Sequence, residues 1–316
     1  MLVLTRAEVE ELLDLDELVD ALARAHAELS AGSASMPARI AAFAECDGLL
    51  GAMPGYLPSA GLGCKLVSVF PHNASRPSHQ AAIALFDPAN GSPVALMDGT
   101  FITAARTAGA AALAARLLAR EDATVLAIIG TGVQARSHGR AFSGLRAWEE
   151  IRVAGRDREK AEELAAEIGA RATSFEEAVR GADVVAATTH SAEPVVRLDW
   201  VSPGTHIGSV GFAAPAGFEL DPELVRAATI VVESRGSSFA PSPAGAPELA
   251  GIDPESVAEL GEIVAGTRPG RTSRDEITLY KSVGVAVQDL AAAALVLNAA
   301  RERGAGLEIE LEEIHA

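Results

Sequence analysis

The chain has 316 residues, enough for about two domains at roughly 150 residues each, with 49% hydrophobic and 22% charged residues. Its net charge of −17, from 26 basic and 43 acidic residues, argues against a nucleic-acid partner, because phosphate binding needs a basic face. It leaves room for a small anion in a local cationic pocket. Two cysteines, Cys46 and Cys64, imply no disulfide framework and a reducing, cytoplasmic setting. "MLVLTRAEVEELL" meets Arg6 and Glu8 too early for a signal peptide, and no apolar run reaches the ~18 residues of a membrane span.

In chain order, Thr5 and Glu8 form a capping box, and Leu12, Leu13, Leu15, Val19 and Leu22 follow at helical spacing, so one opening helix is expected. Gly32 to Pro37 closes it. Short extended segments come next: "ARIAAFAE", "LLGAMPGYLP", "GCKLVSVF", "AAIALFD" and "SPVALMD". Turns at Asp47-Gly48 and Asn90-Gly91 join them into hairpins, which predicts a mostly antiparallel sheet. "TAARTAGAAALAARLLAR" reads as an Ala-rich helix leaving this region.

From Asp122 strands and helices alternate. "TVLAIIG", "EIRVAG", "DVVAATT", "THIGSVG" and "TIVVES" are strands, and "VQARSHGRAFSGL" and "DREKAEELAAEIG" are helices. This predicts a doubly wound parallel sheet. "APSPAGAP" at 240–247 is a loop rather than a linker. The tail "RDEITLYKSVGVAVQDLAAAALVLNAARERG" reads as one long apolar helix returning to the first domain. The fold class is therefore α/β: a Rossmann domain plus an α+β domain with a mainly antiparallel sheet.

Gly130-Thr131-Gly132-Val133-Gln134-Ala135 is a G-x-G-x-x-A turn directly after a strand and opening a helix. Gly130 suits the tight turn, Gly132 lets backbone approach a pyrophosphate, and Ala135 keeps helix and sheet close. The next strand ends in Gly155-Arg156, without the carboxylate that would accept from a ribose 2′-hydroxyl. A guanidinium there favours NADP(H), with NAD(H) possible; Asp157 suits a helix N-cap.

Lys65 stands in an otherwise apolar strand, and an ammonium buried without a partner is costly. Arg39 and Arg106 belong to the same domain, and the three cations could converge on a carboxylate. Each also has a plainer reading: solvated arginines and a lysine snorkelling from an edge strand. Asp98 is a turn former or an acid near the site. His72 and His79 pair with no other ligand at metal spacing, so no metal is expected.

Taken together, "CKLVSVFPHN", "SHQAAIALFDPANGSPVALMDGTFITAARTAGAAALAA", "IGTGVQA", "VAATT", "SVGFAAPAGFELDPELV" and "YKSVGVAVQDLAAA" resemble the ornithine cyclodeaminase/μ-crystallin family across nearly the whole chain. The resemblance implies a homodimer, with a substrate-binding and dimerisation domain (1–118 and 284–316) and a dinucleotide domain (119–283). It implies chemistry at the α-carbon of an amino or imino acid, with hydride exchanged with a nicotinamide. Arg39, Lys65 and Arg106 would hold the substrate carboxylate, Lys65 also moving a proton. Cofactor contacts would come from Arg106, Thr107, Gly130, Thr131, Gly132, Val133, Gln134, Arg156, Thr188 and Val210. Lys281 and Ser282 would join them at the start of the returning helix.

One departure bears on the reaction. Family cyclodeaminases carry an Asp where this chain has Ala213, in "VGFAAPAGFEL", and Glu219 matches the family's own Glu-Leu. Expelling ammonia needs a carboxylate that a methyl cannot replace. The expectation is an NAD(P)H-dependent reductase of a cyclic ketimine acid, with Lys65's missing counter-charge supplied by the substrate. The alternatives are ornithine (or other diamino acid) cyclodeamination, alanine-dehydrogenase-like reductive amination, and non-enzymatic binding of a small ligand.

Overall fold

The computed structural model describes all residues except 46, 212–216, 242–243 and 312–316. The chain divides into two compact units, Met1–Arg106 with Val285–Ala316, and Thr107–Gly284. The division falls inside the Ala-rich helix rather than after it.

The first unit opens with β1 (Leu2–Leu4), α1 (Arg6–Leu12) and α2 (Leu15–Ser30). The single helix expected here is two. The Thr5 capping box starts α1, but Asp14 accepts from the amides of Asp16 and Glu17 and so caps a second helix. Leucines at helical spacing run through the break, so periodicity alone does not reveal it. The sheet continues with β2 (Ile40–Phe43), β3 (Leu49–Leu57), β4 (Gly61–Val69), β5 (His79–Phe86) and β6 (Pro93–Asp98). It is antiparallel throughout these hairpins and gains β1 in parallel beside β6. Asn90-Gly91 turns β5 into β6, with Gly91 at φ 79°, a conformation that glycine adopts without steric cost.

α3 (Gly99–Leu118) follows, its start capped by Asp98, whose Oδ1 accepts from the Phe101 amide at 2.8 Å. By length and composition α3 could span a bilayer, contrary to the expectation that no run is long enough, but most of it is buried as a core helix.

The second unit contains β7 (Val125–Ile129), α4 (Val133–Ser143), β8 (Glu150–Ala154), α5 (Arg158–Ile168), β9 (Arg171–Thr173), α6 (Phe175–Val179) and β10 (Val184–Ala187). After these come β11 (His206–Ser209), α7 (Pro222–Ala227), β12 (Thr229–Val232), α8 (Arg235–Ser238), β13 (Ala258–Glu259), α9 (Leu260–Val264) and β14 (Thr278–Lys281). All strands are parallel, in the order β13-β12-β14-β11-β10-β7-β8-β9. Strand order reverses between β7 and β10, the place where open α/β sheets bind ligands at their carboxyl ends.

The tail is the main correction. Its first part, Thr278–Lys281, is a strand inserted between β11 and β12, and the helix, α10 (Ala286–Arg303), begins only afterwards. A four-residue strand buried on both faces lacks the alternation that marks a strand in sequence. Buried Glu233 enforces the change of course: its carboxylate accepts from Ser282 Oγ and from the amides of Val283 and Gly284.

α10 returns to the first unit and packs with α2 against β3 and β4. A short β15 (Leu307–Glu308) then pairs with β1. A Cβ on Gly63 would lie 2.7 Å from Leu290 and from the Ala84 carbonyl, so the absent side chain lets α10 seat close to the sheet. Side chains of odd number on β3 to β5, among them Met53, Lys65 and Ile83, share one face by register. Met53 and Ile83 are buried there with Lys65. The even-numbered face is different: Ile40, Leu50, Tyr56, Leu62, Leu66 and Leu96 are all exposed.

Candidate active site

Lys65 is 2% exposed, on the central strand β4 between Met53 and Ile83. Its partner is a protein side chain that the sequence reading did not single out. Lys65 Nζ lies 2.8 Å from Asp289 Oδ2, and Arg106 Nε donates to Asp289 Oδ1 at 3.0 Å. Asp289 stands in the first turn of α10, where the helix dipole favours a negative charge. Next to it, Gln288 accepts from Arg106 Nη1 at 2.6 Å, and its Nε2 meets His26 Nε2 of α2 at 3.0 Å. β4, α3, α10 and α2 thus each contribute one part of a buried polar chain.

The electrostatics follow from this packing. Burial pushes Lys65 down to about 8; the Asp289 charge holds it up, while Arg106 and Arg39 press it lower. Arg39, on the segment before β2, is half-buried and lies within electrostatic range of Lys65. His79, on the Lys65 face of β5, is lowered to about 4 by burial first and then by Lys65 and Arg106, and so is neutral at physiological pH. Of the three cations named from sequence, Lys65 and Arg106 share one carboxylate and Arg39 joins through its field. Two buried cations, Lys65 and Arg106, against the one Asp289 carboxylate leave a positive balance suited to a carboxylate ligand.

The second unit presents the dinucleotide turn at the switch point. Gly130 has φ 126°, and a Cβ there would lie 2.5 Å from Thr188 Oγ1, at the end of β10. Gly132 faces open space, with nothing within 4 Å of a built Cβ. It also begins α4 without any side-chain cap, so first-turn amides remain for an anion. Thr131 precedes it, Val133 is 64% exposed, and Gln134 Oε1 is buried with no partner among the described residues. A cradle that any Cβ would narrow, uncapped amides and an orphaned acceptor fit a dinucleotide, which Gly130, Gly132, Val133 and Gln134 would hold.

Arg156 is exposed just past β8, while Asp157 is occupied as the α5 N-cap, accepting from the Lys160 amide at 3.2 Å. Thr188 donates to the Ile129 carbonyl, and the Val210 amide to the Ala187 carbonyl, so both are fixed at strand ends beside the turn. Thr107 is buried on α3 immediately after Arg106.

Lys281 and Ser282 do not begin a helix. Lys281 ends β14, 1% exposed, and its ammonium is consumed by Ser209 Oγ (3.0 Å), the Gly211 carbonyl (2.9 Å) and Glu248 (3.0 Å). Glu219 completes this second network. It accepts from the Thr189 amide and hydroxyl, Ser209 Oγ and the Gly211 amide, and burial raises its pKa. Four donors leave Glu219 as a brace, not a proton-handling acid. Ala213 lies outside the described residues.

Asp289, Gln288, His26 and His79 were missed as site members. The motif "VQDLAAA" placed an acid and an amide side by side in an apolar helix, which was the available signal. Only tertiary packing shows that they face Lys65.

An open glycine turn at the switch point of a doubly wound sheet, together with a buried Lys–Arg–Asp pocket in an α+β unit, defines a nicotinamide-dinucleotide-dependent oxidoreductase. The chain belongs to the ornithine cyclodeaminase/mu-crystallin family, which it matches over residues 1–304. It is 42% identical to the ketimine reductase mu-crystallin of Mus musculus over 272 residues, 84% of this chain and 85% of that one. Its fold is similar to that of the Thermococcus litoralis Δ1-pyrroline-2-carboxylate reductase in complex with NADH and L-proline (TM-score 0.91, 38% identity, 98% and 100% of the two chains). It is also similar to an archaeal alanine dehydrogenase dimer with bound NAD (TM-score 0.92, 34% identity, 99% of each chain).

Gly130→Ala tests the turn. The added methyl collides with Thr188 and the backbone is strained, so binding of a reduced nicotinamide nucleotide (NADH and NADPH each tried), followed by quenching of protein fluorescence, should weaken by at least ~100-fold while the first unit's Lys65 pocket stays intact.

Proposed function

We propose that this protein reduces the C=N bond of a cyclic ketimine acid, such as Δ1-pyrroline-2-carboxylate or Δ1-piperideine-2-carboxylate, to the cyclic L-amino acid. The observation that carries the reading is the buried Lys65 ammonium, fixed beside the Arg106 guanidinium. One grips a carboxylate and the other faces the nitrogen two atoms away. Two of the relatives named above, a ketimine reductase and a Δ1-pyrroline-2-carboxylate reductase seen with NADH and L-proline, support it.

A bound nicotinamide nucleotide supplies hydride chemistry; the rest falls to the chain. Arg106 and Arg39 orient the carboxylate, so much of the rate enhancement is positioning. Lys65 donates a proton to the imine nitrogen, and the nitrogen's lone pair forms the new N–H bond as the Nζ–H bond breaks. The apolar walls at Met53 and Ile83 keep water from that proton. Commitment of Glu219 to four donors supports imine reduction over cyclodeamination, which needs a mobile carboxylate. Arg156, free of a carboxylate at the tip of β8, supports NADPH over NADH. The exposed apolar side chains on one face of the first unit's sheet, Ile40, Leu50, Leu62 and Leu66 among them, support a homodimer formed through it.

Incubating the protein with each ketimine and NADPH should give nucleotide oxidation and proline or pipecolate; ornithine yielding proline and ammonia without net nucleotide change would refute the reading, and turnover of pyruvate with ammonia alone would move it to reductive amination. The reductive kcat/KM should be level below pH 8 and decline above it as Lys65 deprotonates, while oxidation of the amino acid, which needs the free amine, rises through the same pH. Lys65→Met should lower kcat by about 10²–10⁴-fold. Arg156→Ala should raise KM for NADPH by ~10-fold or more and leave that for NADH nearly unchanged. Leu66→Asp should convert a dimer into a monomer by light scattering; a monomeric wild type would reject the interface.

A further inference from the structure

We infer that Asp289 is the positioning residue of the pocket: its carboxylate locks the Lys65 ammonium and the Arg106 guanidinium into one arrangement and keeps Lys65 loaded with the proton it delivers. The inference rests on the reading of Lys65 as proton donor. Its basis is geometric. Asp289 bridges the two cations with separate oxygens, at 2.8 and 3.0 Å, and is itself 1% exposed. It comes from a helix seated on the sheet by the missing side chain of Gly63, so the carboxylate has little freedom. Gln288 takes a second Arg106 donor, fixing the plane of the guanidinium.

Donor counting shows what this leaves for chemistry. An ammonium has three N–H bonds and a guanidinium five. Asp289 Oδ2 pairs with the ammonium at 2.8 Å and so takes up at most one of the former, and Asp289 with Gln288 takes two of the latter. The remaining Lys65 donors can reach a substrate's nitrogen and carboxylate at once, with Arg106 gripping the same carboxylate. The groups that face Lys65 are Arg106 of α3, Arg39 before β2, His79 of β5 and Asp289 of α10, with His26 of α2 behind Gln288. Among the described residues that act on Lys65, Asp289 is the one acid. Without it, Lys65 and Arg106 would face each other in a dry pocket, and Lys65 would yield its proton to solvent before the imine arrives. After transfer the neutral amine faces Asp289, whose charge favours its reprotonation from water for the next cycle.

Asp289→Asn keeps shape and removes charge. The pH profile of reductive kcat/KM should shift to lower pH by about one unit or more, with kcat at pH 7.5 falling at least ~10-fold and KM for NADPH unmoved. Separately, and without substrate, ε-13C-lysine NMR can follow the ionisation directly, because the chain has only three lysines, Lys65, Lys160 and Lys281. The Lys65 midpoint should fall by the same amount. An unchanged midpoint in a folded Asp289→Asn protein overturns the inference. If no ketimine is turned over by the wild type, a shifted midpoint still upholds Asp289's role and only the reaction assignment fails. Should Asp289→Asn not fold, Asp289→Glu serves: retention of the wild-type profile with a reduced kcat supports positioning by charge, and a wild-type kcat rejects it.

Discussion

Everything chemical in the first unit depends on one carboxylate between two buried cations. A lysine and an arginine that face each other in an apolar interior repel, and neither has water to screen it. Asp289 makes the arrangement possible, and the elements around it can be read as the means of bringing it there. The sheet offers Lys65 from its central strand, α3 offers Arg106, and α10 must come back across β3 and β4 to deliver the acid. That requirement gives a physical reason for a chain that leaves its first unit and returns. Lys65 and Asp289, which meet in the pocket, are 224 positions apart in the chain.

The second unit solves a comparable problem with a different answer. Lys281 is also a buried lysine, yet its ammonium is fully spent on Ser209, Gly211 and Glu248, and the adjacent Glu219 is spent on four donors. Such a network ties the ends of β10, β11 and β14 together on the carboxyl side of the sheet, where the glycine turn also lies. Two buried lysines in one chain therefore have opposite characters. Among the described residues one ammonium meets a single carboxylate, and the other is held by three partners. Burial and apolar neighbours alone do not separate them; the count of partners does.

The sequence carried the parallel sheet, the dinucleotide turn and the antiparallel hairpins, because each is written in local terms: alternation of element type, glycine spacing after a strand, and turn dipeptides. It misjudged elements whose signal is not local. The opening helix breaks at Asp14 within continuous leucine periodicity, and β14 is a strand too short and too buried to alternate. Lys281 and Ser282 moved with that correction, from the start of a helix to a strand end and a cap for Glu233.

Lys65, Arg39 and Arg106 were legible as candidates because a charge in an apolar run contradicts its surroundings. Spacing by itself marked a dinucleotide-type turn on one unit and misplaced cations on another. What only the tertiary structure decided was the source of Lys65's counter-charge. The expected answer was a substrate; the observed one is Asp289, an acid inside an apolar helix whose direction no periodicity encodes. Which residues face one another across a sheet and a returning helix is set by packing, here by the bare backbone of Gly63 under Leu290, and that contact exists only once the chain has folded.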